Sequence, residues 1–196
     1  MTLKPHPTLP LVSTMCLLDE TAASDLFRQL LAETPWNDGS YLAGGRRFQL
    51  PRVQAWFSDP GVAYRYADNL LNSHPWTPTL LNLKSRVEVL CNTTFNAVLV
   101  NLYRSGQDAV GWHADDEPDL GPAPVIASLS LGAVRRFALR PKNDSSVAPL
   151  SLPLPAGTLL LMSPPLQRDW EHAVPADANV TEPRINLTFR RVLTSV

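Results

Sequence analysis

The stretch GWHADDEPDL, Gly111 to Leu120, sets His113 two residues before Asp115 and follows them with Asp116 and Glu117. On an extended strand, side chains two apart share a face, so His113 and Asp115 can point at one ion. The HxD pair alone is a weak signal, because such short motifs arise by chance. His172, in DWEHAVP after the apolar run GTLLLMS, adds a third ligand. Two imidazoles and one carboxylate on one side of a metal leave other coordination positions open, which is the ligand set of non-haem iron(II) oxygenases. The remaining histidines are poorer ligands: His6 lies in a proline-spaced terminal stretch and His74 in a proline-flanked loop.

A second chemical feature is PRINLTFRR. Read as a strand, it turns Arg184, Asn186, Thr188 and Arg190 to one face and Ile185, Leu187 and Phe189 to the other. Two guanidiniums on an inward face are costly to bury without a partner. A dicarboxylate is the natural partner, since guanidinium pairs bidentately with carboxylate. An edge strand with solvated arginines is the alternative for either arginine alone.

The elements that must position these residues follow from composition and pattern. The chain has 196 residues, 44% of them hydrophobic, and a formal net charge of −1. That length fits one domain with a proper core, and the charge excludes nucleic-acid binding by bulk positive charge. The two cysteines, Cys16 and Cys91, form no CxxC pair, which fits a reducing compartment. No apolar run reaches membrane-spanning length and no signal-peptide layout is present, so a cytoplasmic protein, nuclear in a eukaryote, is expected, as a monomer. The 19 prolines, about twice average usage, end strands and shape loops.

Residues 1–14 read as a flexible arm, and 15–196 as a single domain. DETAASDLFRQLLAET reads as a helix capped by Asp19 or Thr21, with Leu26, Phe27, Leu30 and Leu31 on one face; Thr77 and Pro78 open a second helix. After Thr94, FNAVLVNLY, PVIASLSLG, RRFALRP, PLSLPL, GTLLLMS and PRINLTFRRV read as short strands of a sandwich or barrel. KNDSSVAP reads as an exposed loop. The fold class expected is mainly β with flanking helices (α+β).

The order NLYRSG, WHADDEPDL, PVIASLSLG, a late His and PRINLTFR closely resembles the AlkB family of iron(II)- and 2-oxoglutarate-dependent dioxygenases, over about residues 51–191. The resemblance implies a double-stranded β-helix (jelly roll) core at about 95–193, N-terminal helices, and a nucleotide-recognition lid at about 36–70. It implies Fe(2+) held by His113, Asp115 and His172, and 2-oxoglutarate held by Arg184, Arg190, Asn101 and Tyr103, with Thr188 lining the pocket. It implies O2-dependent oxidative dealkylation of N-alkylated bases in DNA, of the 1-methyladenine and 3-methylcytosine type, releasing aldehyde, succinate and CO2. The same chemistry on RNA bases, or hydroxylation of a protein or small molecule, is the alternative.

A base in a duplex must be flipped out for such chemistry, and flipped bases stack on aromatics. Tyr64 and Tyr66 match the family's lid aromatics, while Arg52 and Gln54, in PRVQ, match a lid motif. Trp56 and Trp112 are further aromatic candidates, with core packing the competing role. Asp116 and Glu117 could favour a cationic lesion electrostatically, the competing role being a solvated turn. Arg46, Arg47, Arg52 and Arg65 make the lid locally basic. In LAGGRRF, Leu42 and Phe48 are the only bulky residues able to wedge a duplex.

Overall fold

The computed structural model describes residues 2–37, 40–43, 45–63, 65–66, 69–70, 72–144 and 146–193; of 40–43, 65–66 and 69–70 it describes the backbone. In chain order, β1 (Lys4–Pro5) and β2 (Val12–Cys16) precede helix α1 (Glu20–Glu33). Then come β3 (Ser40–Ala43), β4 (Arg46–Gln49), β5 (Val53–Ser58), β6 (Arg65–Tyr66), β7 (Asn69–Leu70) and β8 (Ser73–His74), followed by helix α2 (Pro78–Cys91). The rest is β9 (Ala97–Tyr103), β10 (Val110–His113), β11 (Ile126–Gly132), β12 (Arg135–Pro141), β13 (Leu150–Leu154), β14 (Thr158–Met162), short helix α3 (Pro165–Asp169), β15 (Trp170–Val174) and β16 (Arg184–Arg190).

These strands form two facing sheets. The major sheet runs β1-β2-β14-β11-β16-β9-β5-β8 and the minor sheet β10-β15-β12-β13, antiparallel except for the β5–β8 pair. The pairs β3–β4 and β6–β7 make separate hairpins. This is the jelly-roll arrangement expected. Alternation explains the layering. One face of the major sheet presents Phe57, Val100, Leu129, Ile185, Leu187 and Phe189 to a core that also holds Ala23, Leu30, Leu80, Leu83 and Val87 of α1 and α2. Its other face and the minor sheet enclose Trp56, Leu99, Ile126, Phe137, Leu139, Leu154 and Met162.

The helices begin where their caps dictate. Asp19 accepts from the Ala22 amide at 2.9 Å, and Thr77 from the Leu80 amide at 3.2 Å ahead of Pro78. Helix α2 ends at Asn92, whose φ of 48° is the left-handed conformation that asparagine tolerates. In α1, Leu30 is buried and Leu26 and Phe27 pack against the core, but Leu31 is exposed, so the apolar stripe is narrower than the sequence suggests and Ala23 completes it.

Two expected boundaries are corrected. The terminal arm is not free: β2 pairs with β14 from Val12 to Cys16, β1 with β2, and Leu9 and Val12 are buried. Its prolines stand outside the paired run of β2, so they do not interrupt that ladder. The lid range of 36–70 also contains β5, a major-sheet strand paired with β9 from Val53 to Ser58 and buried along most of its length. The six strands expected after Thr94 are β9, β11, β12, β13, β14 and β16. Most described residues of the 142–149 loop are exposed. Among the described residues, no helix is long and apolar enough to cross a membrane.

One glycine is required by close approach. The turn after β9 lies directly on the loop after β15: Gly106 N–H donates to the Val180 carbonyl at 2.7 Å, and its own carbonyl accepts from Asp177 N–H at 2.8 Å. A Cβ at Gly106 would lie 1.7 Å from the Asp177 carbonyl oxygen. Gly106→Ala is therefore expected to lower stability by about 1–3 kcal/mol through overpacking. The check is urea unfolding, with a lower midpoint and an unchanged slope.

Candidate active site

Strand β16 sits in the middle of the major sheet, between β11 and β9. Its register sets Arg184 opposite Tyr103, Asn186 opposite Asn101, and Thr188 opposite Leu99 on β9. On the other side, Asn186 lies opposite Ser130 and Thr188 opposite Ser128 of β11. The result is a polar inner face in an otherwise apolar layer. Arg184 Nη2 donates to Ser130 Oγ at 2.9 Å and Asn186 Oδ1 at 2.7 Å. Ser128 Oγ donates to the same Asn186 oxygen, and Asn186 Nδ2 donates to Thr188 Oγ1, both at 2.9 Å. Arg184 is 1% exposed, yet its Nε and Nη1 meet no acceptor with hydrogen-bond geometry. A buried guanidinium so placed calls for an anion.

The minor sheet supplies the other wall. β10 pairs with β15 so that His113 stands opposite His172, their ring centroids 4.3 Å apart. Asp115 is not on the strand, as i, i+2 alternation would have it; β10 ends at His113 and Asp115 lies in the bend beyond. The three candidate ligand atoms still lie within 4.8 Å of one another. His113 Nδ1 lies 2.8 Å from the Gly111 carbonyl, which favours the tautomer that donates there and leaves Nε2 as a ligand. Arg190 Nη2 donates to Asp115 Oδ1, binding the two walls together. His113, Asp115 and His172 line one cavity with Arg184, Asn186, Thr188 and Arg190 of β16 and with Arg52, Tyr103 and Leu99.

The electrostatics suit a cation. Burial alone would raise the Asp115 carboxyl, but Arg190 and then the two imidazoles hold it below the usual carboxylate range. Burial, then His113, pushes the His172 imidazole down to about 3 against the pull of Asp115, so at neutral pH it is an uncharged ligand. His172 Nε2 stands 3.9 Å from Asp115 Oδ2, too far for a hydrogen bond, and Oδ2 has no hydrogen-bond partner. Two metal–ligand bonds of about 2 Å can span that gap. The donor set fits iron(II), and the uncompensated Arg184 fits a carboxylate co-substrate beside it.

Comparison with known proteins agrees. The family model described as "2OG-Fe(II) oxygenase superfamily" matches residues 11–190. The chain is 41% identical over 193 residues to "Alpha-ketoglutarate-dependent dioxygenase alkB homolog 3" of Bos taurus, covering 92% of this chain and 67% of that protein. It is 38% identical over 186 residues to "DNA oxidative demethylase ALKBH2" of Mus musculus, covering 90% of this chain and 78% of that protein. The chain belongs to the AlkB family. In fold, the solved structure of OsALKBH1 superposes with a TM-score of 0.63 at 20% identity, covering 97% of this chain and 99% of that one.

One cavity is lined by all eight residues expected to hold metal and co-substrate, namely Asn101, Tyr103, His113, Asp115, His172, Arg184, Thr188 and Arg190. The residues expected to meet substrate fare differently. Arg52 is no surface residue: 6% exposed, its Nε donates to Asn101 Oδ1 at 2.9 Å inside the cavity. Gln54 shares the inward face of β5 but lies outside the cavity lining, its backbone bridged to Asn37. Trp56, 2% exposed, is a core residue between the sheets, because an indole on the inner face of β5 is drawn into the apolar layer. Asp116 turns outward, 54% exposed, and accepts from Lys142 Nζ at 2.6 Å. Glu117 opens the short 3-10 turn Pro118–Leu120, half-buried and outside the cavity lining. Trp112 is partly exposed under the Arg140 guanidinium, whose Cζ is 4.4 Å from the indole ring centre. Arg46, Arg47 and Phe48 lie exposed on the β4 hairpin. Tyr64 lies outside the described residues, and for Tyr66 and Arg65 only the strand position is described.

Sequence reading missed Gln167. It is 1% exposed on α3, its Oε1 accepts the Asp115 backbone N–H at 2.9 Å, and its Nε2 donates to Met162 Sδ at 3.4 Å. Helix α3 leads straight into β15, so Gln167 ties the Asp115 bend to the segment carrying His172. A glutamine 52 residues from its partner leaves no local motif.

Two outcomes follow. Gln167→Leu keeps the volume but frees the Asp115 bend, and should weaken Co(II) or anaerobic Fe(II) binding about tenfold, read by titration. The metal-free protein should lose stability as pH falls from about 6.5 toward about 3. In that window the unfolded chain protonates His172 while the folded chain refuses, so folding is favoured above the window and penalised within it. Asp115, also held low, adds loss of the same sign at the acid end. His172→Gln should flatten the slope between pH 7 and pH 5 in urea unfolding of chelator-treated protein.

Proposed function

We propose that this chain is an oxidative demethylase of alkylated DNA bases, of the 1-methyladenine and 3-methylcytosine type, using iron(II), 2-oxoglutarate and O2. The observation that carries the chemistry is one cavity in which a buried, incompletely satisfied Arg184 shares walls with the His113, Asp115 and His172 cluster. The DNA substrate is supported by the similarity to a relative named DNA oxidative demethylase, and by Arg46, Arg47 and Phe48 exposed on the β4 hairpin.

In this reading His113, Asp115 and His172 hold the iron, and Arg184, Tyr103, Asn101, Thr188 and Arg190 hold 2-oxoglutarate. Bound together, iron and co-substrate supply an oxidation that yields succinate and CO2 and hydroxylates an N-alkyl carbon, which leaves as aldehyde. The protein's part is positional. Arg190 occupies Asp115 Oδ1 and so reserves Oδ2 for the metal. The depressed pKa of His172 keeps its lone pair available throughout the neutral range. Arg52, by taking Asn101 Oδ1, turns the amide N–H groups of Asn101 toward any acceptor in the cavity. The Leu99, Val110, Phe137 and Val174 side chains make the remaining walls apolar, which limits water at the reacting carbon.

The test is incubation with Fe(II), 2-oxoglutarate and a single-stranded oligonucleotide carrying one 3-methylcytosine, read by mass. Loss of one methylene mass that requires both cofactors is the expected result, with His172→Ala abolishing it. Succinate formation with an unchanged oligonucleotide would reject the DNA substrate and turn the search to RNA, protein or small molecules. Turnover surviving in His172→Ala would reject the ligand assignment.

A further inference from the structure

Tyr103 meets two guanidiniums. Arg184 Cζ is 5.2 Å and Arg135 Cζ 5.6 Å from its ring centre. Arg184 lines the cavity and Arg135 does not. Arg135 is 2% exposed, at the start of β12, and its two terminal nitrogens donate to three backbone carbonyls, while its Nε has no hydrogen bond. Nη1 donates to Ser105 O at 3.0 Å, and Nη2 to Asp108 O at 2.9 Å and Pro175 O at 2.8 Å. Ser105 and Asp108 belong to the turn that joins β9, carrying Asn101 and Tyr103, to β10, carrying His113. Pro175 directly follows β15, carrying His172. Three segments that build the cavity thus converge on one side chain behind it.

Two cations at one aromatic ring are tolerated for different reasons. The Arg135 guanidinium rests on three carbonyl dipoles and feels the Asp177 and Asp108 carboxylates, whereas Arg184 leans on hydroxyl and amide groups and leaves Nε and Nη1 without a hydrogen bond. A lysine cannot replace the fork, because an ammonium does not reach three diverging carbonyls with planar geometry.

We infer that Arg135 is a positioning residue for the co-substrate: by fixing the turn after β9 and backing the Tyr103 ring, it makes Tyr103 and Arg184 converge on the carboxylate of 2-oxoglutarate that lies away from the metal cluster. The inference rests on the 2-oxoglutarate reading of the cavity. It assigns Arg135 no contact with co-substrate, metal or base.

The experiment is calorimetric titration of 2-oxoglutarate into the Mn(II)-loaded protein as wild type, Arg135→Lys, Tyr103→Phe and the double variant. Arg135→Lys is expected to weaken 2-oxoglutarate binding about tenfold, leave Mn(II) affinity within about twofold, and raise KM for 2-oxoglutarate with kcat little changed. In the Tyr103→Phe background the same substitution should add less than about twofold, because the route through Tyr103 is already lost. A folded Arg135→Lys protein with wild-type 2-oxoglutarate affinity would overturn the inference, as would equal losses in both backgrounds. Failure of both Arg135→Lys and Arg135→Gln to fold, judged by thermal melts, would leave Arg135 a purely structural residue and equally overturn it. Wild type that takes up Mn(II) but not 2-oxoglutarate would instead reject the co-substrate reading itself.

Discussion

The contact between Arg190 and Asp115 is the constraint on which the cavity depends. β16 carries two guanidiniums into the space between the sheets, where an isolated charge is strongly disfavoured. Only one carboxylate, Asp115, lines the cavity with them among the described residues. It reaches them because β10 stops at His113 and the chain bends, aiming Asp115 across the gap at the far end of β16. The bend is held from behind by Gln167. Ion pair, bend and glutamine thus form one mechanical unit, with the two histidines on adjoining strands of the same sheet.

The other end of β16 is satisfied differently. Among the described residues Arg184 has no carboxylate partner, and it leans on Ser130, Asn186 and the Tyr103 ring. Hydroxyl and amide dipoles lower the penalty of a buried guanidinium without cancelling its charge. The cavity is therefore graded: charge-compensated where His113, Asp115 and His172 gather, and cationic around Arg184. An elongated ligand with a chelating end and an anionic end has one favourable orientation in such a gradient. Selectivity for orientation thus arises from how one strand's two arginines are answered.

Much of this was visible in the sequence, for a physical reason. The strands of the core alternate strictly, and period-two patterning reports which residues share a face; Ile185, Leu187 and Phe189 against Arg184, Asn186, Thr188 and Arg190 is the clearest case. Helix caps at Asp19 and Thr77 were visible because capping is local. What escaped notice acts over long sequence separations. Arg135 reads as one of two arginines opening a strand, and only the meeting of the 105–108 turn with Pro175 gives it a role. Arg52 reads as part of a basic lid, but β5 lies beside β9 and carries it to Asn101. The outward turn of Asp116 depends on Lys142, 26 residues away. In the terminal arm, proline spacing masked a five-residue strand whose partner, β14, is most of the chain away.

The buried groups without partners also link stability to ligand binding. Arg184 Nε and Nη1 and Asp115 Oδ2 are buried with no hydrogen bond among the described residues. Each such group costs on the order of 1–3 kcal/mol relative to a satisfied one. A ligand that engages these atoms supplies hydrogen-bond or coordination partners that the surrounding side chains do not. The binding free energy therefore appears in two places at once, as affinity and as added resistance to unfolding. The same logic explains why Arg184 sits on a central strand rather than a loop. A donor on a mobile loop would recover water or a neighbour in the free protein, whereas β16, paired on both sides along its length, cannot relax to do so. Rigidity of the central sheet thus fixes where Arg184 stands in the cavity wall.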